Sequence, residues 1–222
     1  MTNPDTDMAQ AARPRILVLG ATGGTGRQIV VQAVRRGYDV VALVRSPKKA
    51  QGLAGVRLIQ GDARDDGALR TALEGRTAVV SALGTPASPF RQVTLLSEAT
   101  KALVAAMKAE EVDRLVAITG LGAGDSRGHG GFVFDRLIFP ALLRHVYADK
   151  DRQEALVRES GLDWTLVRPA VLNDKTARGT VRALTDLTDF RGGTISRSDV
   201  ATFVLDQVTD DRFLHRIPLI AW

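Results

Sequence analysis

The residues Gly20-Ala21-Thr22-Gly23-Gly24-Thr25-Gly26 follow a short apolar run, RILVLG over 15–20, and open a stretch with helical spacing. Glycines three apart at such a junction let the backbone approach a ligand with no Cβ in the way, and a positive φ there costs little. N–H groups at the start of the helix then face an anion, and the helix dipole adds to the attraction. Gly20, Thr22, Gly23, Gly24, Thr25 and Gly26 are therefore the candidate cradle for a dinucleotide pyrophosphate. A tight strand-to-helix turn without a ligand is the plainer reading of the same glycines.

The second chemical signal lies about twenty residues further on. A chain that selects NAD carries Asp or Glu there for the ribose diol. This one has Val44-Arg45-Ser46, with Lys48 and Lys49 close behind. Arg45 can make the bidentate, charge-assisted pair that a phosphate favours, and Ser46 can add a hydroxyl. The expected cofactor is NADP(H); a solvated basic loop is the alternative. The three histidines, His129, His145 and His215, have no metal-ligand spacing. The absence of cysteine excludes disulfides, thiolate nucleophiles and cysteine-ligated metal.

These residues need elements to position them. Short apolar runs alternate with longer helical patterns, the signature of βα units on a parallel sheet. Strands are expected at 15–20, 39–45, 56–62, 77–83, 114–119, 164–168 and 217–222, with an extended segment at 177–184. Helices are expected at 25–36, 63–74, 90–110 and 132–160 (broken near Pro140), and at 198–209 with Ser198 as its cap. The glycines between Gly120 and Gly131 read as a mobile loop. The fold class is α/β: a single doubly wound Rossmann-type domain over 14–222, helices on both faces of a mostly parallel sheet, after a disordered tail at 1–13.

Composition narrows the partners. Apolar residues at 45% and charged residues at 25% suit a soluble globular domain. The formal charge of +5 comes from scattered basic residues, which suits an anionic nucleotide better than nucleic acid. No apolar run is long enough to span a bilayer and the first residues lack a secretory pattern, so a cytoplasmic protein is expected. Its partner is a small-molecule substrate, with no nucleic acid and no membrane, and it is a monomer or homodimer.

Further segments carry a family resemblance: Gly61-Asp62, Ser81-Ala82-Leu83-Gly84, Ser160-Gly161-Leu162-Asp163-Trp164-Thr165 leading into Arg168-Pro169, and Ile195-Ser196-Arg197-Ser198-Asp199-Val200-Ala201. With the glycine turn, these make the chain resemble the atypical short-chain dehydrogenase/reductase superfamily from Arg15 to about Arg212. The resemblance is to the group that includes biliverdin reductase B, a flavin reductase. It implies that Asp62 meets the adenine amino group and that Ala82, Leu83 and Gly84 pack against ribose and adenine. Thr119 would bond a substrate carbonyl or the nicotinamide ribose, and backbone groups around Pro169 the nicotinamide amide. The substrate region would lie near 120–146 and 170–197.

The pattern also departs from the superfamily. Better-known members use Tyr-x-x-x-Lys on one helix face, where the lysine lowers the tyrosine pKa and holds the ribose. Of the two tyrosines, Tyr38 lies in a turn, and Tyr147 has Lys150 at i+3 with Asp151 in the usual place. Thr119, Tyr147 and Lys150 are the catalytic candidates, with Lys150 also a cofactor-binding candidate. A surface phenol and a Lys150–Glu154 helix pair explain the same residues. Flavins and quinones accept hydride without a protein acid, so the expected function is an NADPH-dependent oxidoreductase acting on a flavin, quinone or similar planar acceptor. Phe132, Phe134, Leu137, Ile138, Phe139 and Leu142 would wall its site, or else pack in a core or a dimer face. The alternative is an NADP(H)-sensing regulatory protein without robust turnover; a sugar epimerase fits less well.

Overall fold

Neighbouring residues of the first strand, β1 (Arg15–Leu19), bury on opposite faces of a sheet. The structure is a computed structural model, and it describes residues 13–222. The tail expected over 1–13 lies, save its last residue, outside the described residues. After β1 come α1 (Gly24–Arg35), β2 (Asp39–Val44), β3 (Arg57–Gln60), α2 (Asp66–Leu73), β4 (Ala78–Ser81), α3 (Leu95–Ala109) and β5 (Arg114–Ile118). A wide, π-type helical segment (Phe134–Leu143) runs directly into α4 (Arg144–Arg158). Then follow β6 (Asp163–Pro169), β7 (Val171–Asn173), β8 (Arg182–Leu184), β9 (Thr194–Ser196), α5 (Arg197–Asp206) and β10 (Leu219–Ala221).

The main sheet has eight strands in the order β3-β2-β1-β4-β5-β6-β10-β8, all parallel except β8, which runs against β10. Ile16 and Val18 pack towards Ile29 and Ala33 of α1 and Val200 and Val204 of α5. Leu17 and Leu19 pack towards Leu69 and Leu73 of α2, Leu103 and Met107 of α3, and Val157 of α4. Helices on both faces explain why the strands read as unbroken apolar runs. This is the doubly wound, Rossmann-like α/β fold. Strand order reverses between β1 and β4, and a crevice opens there at the carboxyl ends of the strands. Among the described residues no helix is long and apolar enough to cross a membrane.

Several expected details differ. The third helix starts at Leu95, not at 90, and Phe90 is exposed. The helix has no cap of its own; the buried carboxylate of Asp149 in α4 accepts the N–H groups of Leu96 (2.7 Å) and Ser97 (3.3 Å) instead. The final helix is capped by Ser196, whose hydroxyl accepts the N–H of Asp199, three residues on, at 3.0 Å. Ser198 lies one position inside the helix and meets the amide of Gln32. Pro140 widens its helix rather than breaking it, a π-type turn absorbing the missing N–H. The 120–131 loop is a series of hydrogen-bonded turns: the N–H of Gly122 meets the buried Ser126 hydroxyl at 2.9 Å, and that of Gly192 meets the His129 carbonyl at 2.7 Å. The short strands β7 and β9, which pair with each other, carried no recognisable period.

Candidate functional site

The turn after β1 is shaped by close backbone approach. Gly20 has φ of +77°, and a Cβ there would overlap the carbonyl of Ala82 in the loop after β4. A Cβ on Gly26 would overlap the carbonyl oxygen of Gly20, which accepts the Gly23 N–H at 3.0 Å. Helix α1 then starts with no side-chain cap and no acid in its own first turn, which leaves its first N–H groups without a capping side chain among the described residues.

A cleft of about 550 Å³ spreads over this turn. Gly20, Thr22, Gly23, Gly24, Thr25 and Gly26 line it, together with Ala82, Leu83 and Gly84 beside them. Arg45 and Asp62 line it on the side of β2 and β3, Thr119 and Lys150 on the side of β5. Arg45 is exposed, and the guanidinium of Arg27 ties the loop behind it by reaching the carbonyls of Lys49 and Gln51. Asp62 accepts two hydrogen bonds from the Arg64 side chain (2.9 and 3.1 Å) and one from its N–H, which together hold the carboxyl down to about 2.

One cation in the cleft escaped the sequence reading. Arg197, the first residue of α5, lies over the glycine turn: a Cβ on Gly24 would come within 2.9 Å of its side chain. Its guanidinium pairs with the exposed Asp174 at 2.8 Å. The only signal was its place in the family-like segment at 195–201, which assigned it no role. The segment that carries Asp174 is fastened by Asp199. That carboxylate accepts the N–H groups of Arg178 (2.9 Å) and Gly179 (3.1 Å), the Ser196 hydroxyl and the Trp222 indole N–H. Burial opposes its charge, yet these donors hold its pKa below the ordinary aspartate value.

At the other end three elements converge. Thr119 follows β5; its carbonyl accepts from the Lys150 ammonium, and its hydroxyl donates to Glu154 Oε1 at 2.8 Å. Glu154 is buried and takes both Nε (2.9 Å) and Nη2 (2.6 Å) of Arg168, which also pairs with Asp125. The surface pair of Lys150 with Glu154 is thus replaced by a buried Glu154–Arg168 pair. Burial pushes the Lys150 ammonium down to about 8, with Glu154 acting against it.

Tyr147 is half-buried rather than at the surface. Its ring packs on Phe139 and Phe134 with centroids 5.0 and 6.4 Å away, and burial pushes its phenol up to about 12. A Cβ on Gly120 would lie 3.3 Å from Lys150 Nζ and 3.4 Å from the Tyr147 hydroxyl, so the two groups meet at that glycine. Tyr147 and Pro169 lie outside the main cleft and line an inner pocket of about 210 Å³ with Phe134 and Ala170. Thr119, Lys150 and Leu172 line both spaces.

The residues fit a nicotinamide dinucleotide. At Gly20 and Gly26 the turn packs too closely on backbone for any Cβ, the first turn of α1 carries no acid of its own, and Arg45 and Arg197 line the cleft as cations.

A family model described as NAD(P)H-binding matches residues 20–211. Photosystem II assembly factor Ycf39 of Cyanophora paradoxa is 33% identical over 156 residues, 69% of this chain and 44% of its own length. The chain spans less than half the length of the curated relatives it first matches. ChuY, an anaerobillin reductase from Escherichia coli O157:H7, has a TM-score of 0.79 at 23% identity, over 93% of this chain and 96% of that one. A short-chain dehydrogenase/reductase from Veillonella parvula DSM 2008, in complex with NADP, has a TM-score of 0.77 at 16% identity, over 94% of each chain. At these identities the two structures speak for the fold.

Proposed function

The chain belongs to the NAD(P)H-binding family, and on that premise we propose that it is an NADPH-dependent reductase of a flavin, quinone or similar planar acceptor. The observation that carries this reading is the junction of two spaces. The nucleotide cleft adjoins a small aromatic pocket through Thr119, Lys150 and Leu172, so a cofactor ring on one side and an acceptor ring on the other would share a wall.

Bound NADPH supplies a hydride, two electrons with one proton, and the reduced acceptor needs one further proton. Tyr147, held near 12, is a weak acid for that task, whereas Lys150, held near 8, is closer to a working pH. Simple carbonyl reduction depends on a protein acid at the oxygen. Flavins and quinones, once reduced, also take their proton from solvent. The phosphate-selective form is preferred on the strength of Arg45, with no acidic residue among 44–46 at that position.

The test is NADPH oxidation over flavins, quinones, aldehydes and linear tetrapyrroles. Turnover well above the uncatalysed rate with planar acceptors, and little with aldehydes, is the expected result. Tight NADPH binding with no turnover on any acceptor would refute the reductase and favour a nucleotide-sensing role.

A further inference from the structure

An outer groove of about 570 Å³ lies beside the inner pocket, lined by Gly130, Gly131, Phe132, Val133, Phe134, Ile138 and Val171. Phe134 and Val171 line both, so nucleotide cleft, inner pocket and outer groove form one continuous series. The groove's lining carries no charged side chain. Its apolar residues are nonetheless open to solvent: Phe132 is 77% exposed, Val133 59% and Val171 46%. Exposed apolar surface that continues from a reaction pocket is surface kept for a ligand.

We propose that the acceptor carries an apolar tail, as a lipophilic quinone does: the ring enters the inner pocket and the tail lies in the groove along Phe132, Val133, Ile138 and Val171. This rests on the reductase reading above and narrows its acceptor. A flavin nucleotide would place a ribityl phosphate on the same path, where the lining has no cation to receive it. A hydrocarbon chain needs no partner there and gains from every methylene covered. Phe134, at the start of the π-type segment, packs on Tyr147, while Phe132 just before it and Ile138 within it line the groove, so one stretch of chain serves ring and tail.

The test compares 2-methyl-1,4-naphthoquinone with the same ring bearing a short isoprenoid tail. Binding to the NADP⁺-loaded protein is measured by calorimetry, and kcat/KM is measured beside it. The tailed quinone should bind at least roughly tenfold tighter, which about two buried methylenes supply. Phe132→Ser and Ile138→Ser, both at solvent-facing positions, should remove that preference by weakening the tailed quinone. Equal binding of the two quinones, or a preference that survives both substitutions, overturns the proposal. Turnover without tail dependence sinks the groove and leaves the reductase standing; tail-dependent binding without turnover does the reverse. A dimer that Phe132→Ser dissolves, with no tail preference, would assign this face to a second copy and also overturn it.

Discussion

Replacing Arg197 with methionine keeps an unbranched stem over Gly24 and removes the guanidinium. In the wild-type protein that guanidinium lines the nucleotide cleft and is held at its rim by Asp174, whose side chain is 85% exposed. A charge-assisted hydrogen bond to a phosphate contributes about 1.5–3 kcal/mol. To make it, Arg197 gives up an exposed ion pair worth about 0–1 kcal/mol. The net loss in Arg197→Met is then about 0.5–3 kcal/mol, a weakening of NADPH binding by roughly 2- to 150-fold. The competing pair predicts the opposite effect at its other end: Asp174→Asn frees the guanidinium and should tighten binding by up to roughly fivefold. Calorimetric titration of the three proteins with NADPH, at low and moderate salt, reads both effects. Dissociation constants within twofold of wild type in both variants would refute the reasoning and leave Arg197 a brace for the segment above the cleft.

Arg45→Ala should narrow the ratio of NADH to NADPH dissociation constants by roughly tenfold, one phosphate ion pair, with NADH binding unchanged. Gly26→Ala should abolish NADPH binding and lower the thermal midpoint, because the new methyl meets the Gly20 carbonyl, a backbone atom that cannot step aside. Lys150 titrates near 8 in the folded chain against an ordinary 10.5, so the unfolded chain keeps this proton longer and stability from this group rises with pH between those values. Lys150→Met should lose that rise: the stability difference between the two proteins should change by about 2 kcal/mol from about pH 7.5 to pH 10 in urea denaturation, and a pH-independent difference would contradict the burial argument. Tyr147→Phe should leave kcat for a quinone within about threefold of wild type, since a phenol near 12 donates little at neutral pH; a hundredfold loss would make Tyr147 the acid after all.

The parts of the site that were legible in sequence are those built from neighbours in the chain. The glycine cradle, the strand before it and the helix after it occupy one continuous stretch, 15–35, and buried parallel strands announce themselves as apolar runs. Arg197 was not legible, because its place over Gly24 exists only once α5 packs beside α1. Ser196 and Ser198 are equally good caps on composition, and only the start of the helix decides between them. Asp149 gives no local sign of its role, because the helix it caps begins more than fifty residues earlier in the chain. The environment of Tyr147 depends on how Pro140 is absorbed upstream, and no local rule foresees a widened helix in place of a broken one.

This division has a chemical consequence. The cradle end of the cleft is made of backbone, whose demands on side chains are simple: no Cβ at Gly20 or Gly26, no acid at the helix start. The opposite end is made of side chains from four places in the fold: Thr119 after β5, Lys150 and Glu154 on α4, Arg168 on β6, and Asp125 in the loop between. Thr119 is clamped through both its polar groups, its carbonyl by Lys150 and its hydroxyl by Glu154, so this shared lining of the two adjoining pockets is held in place. Breaking the clamp at Glu154 leaves Arg168, whose side chain is 3% exposed, with the exposed carboxylate of Asp125 in place of a buried partner, and breaking a buried pair costs about 3–5 kcal/mol. Under the proposed reductase reading, acceptor range is therefore free to change at Phe134 and in β7, which line the far side of the inner pocket, while the clamp and the cradle stay as they are.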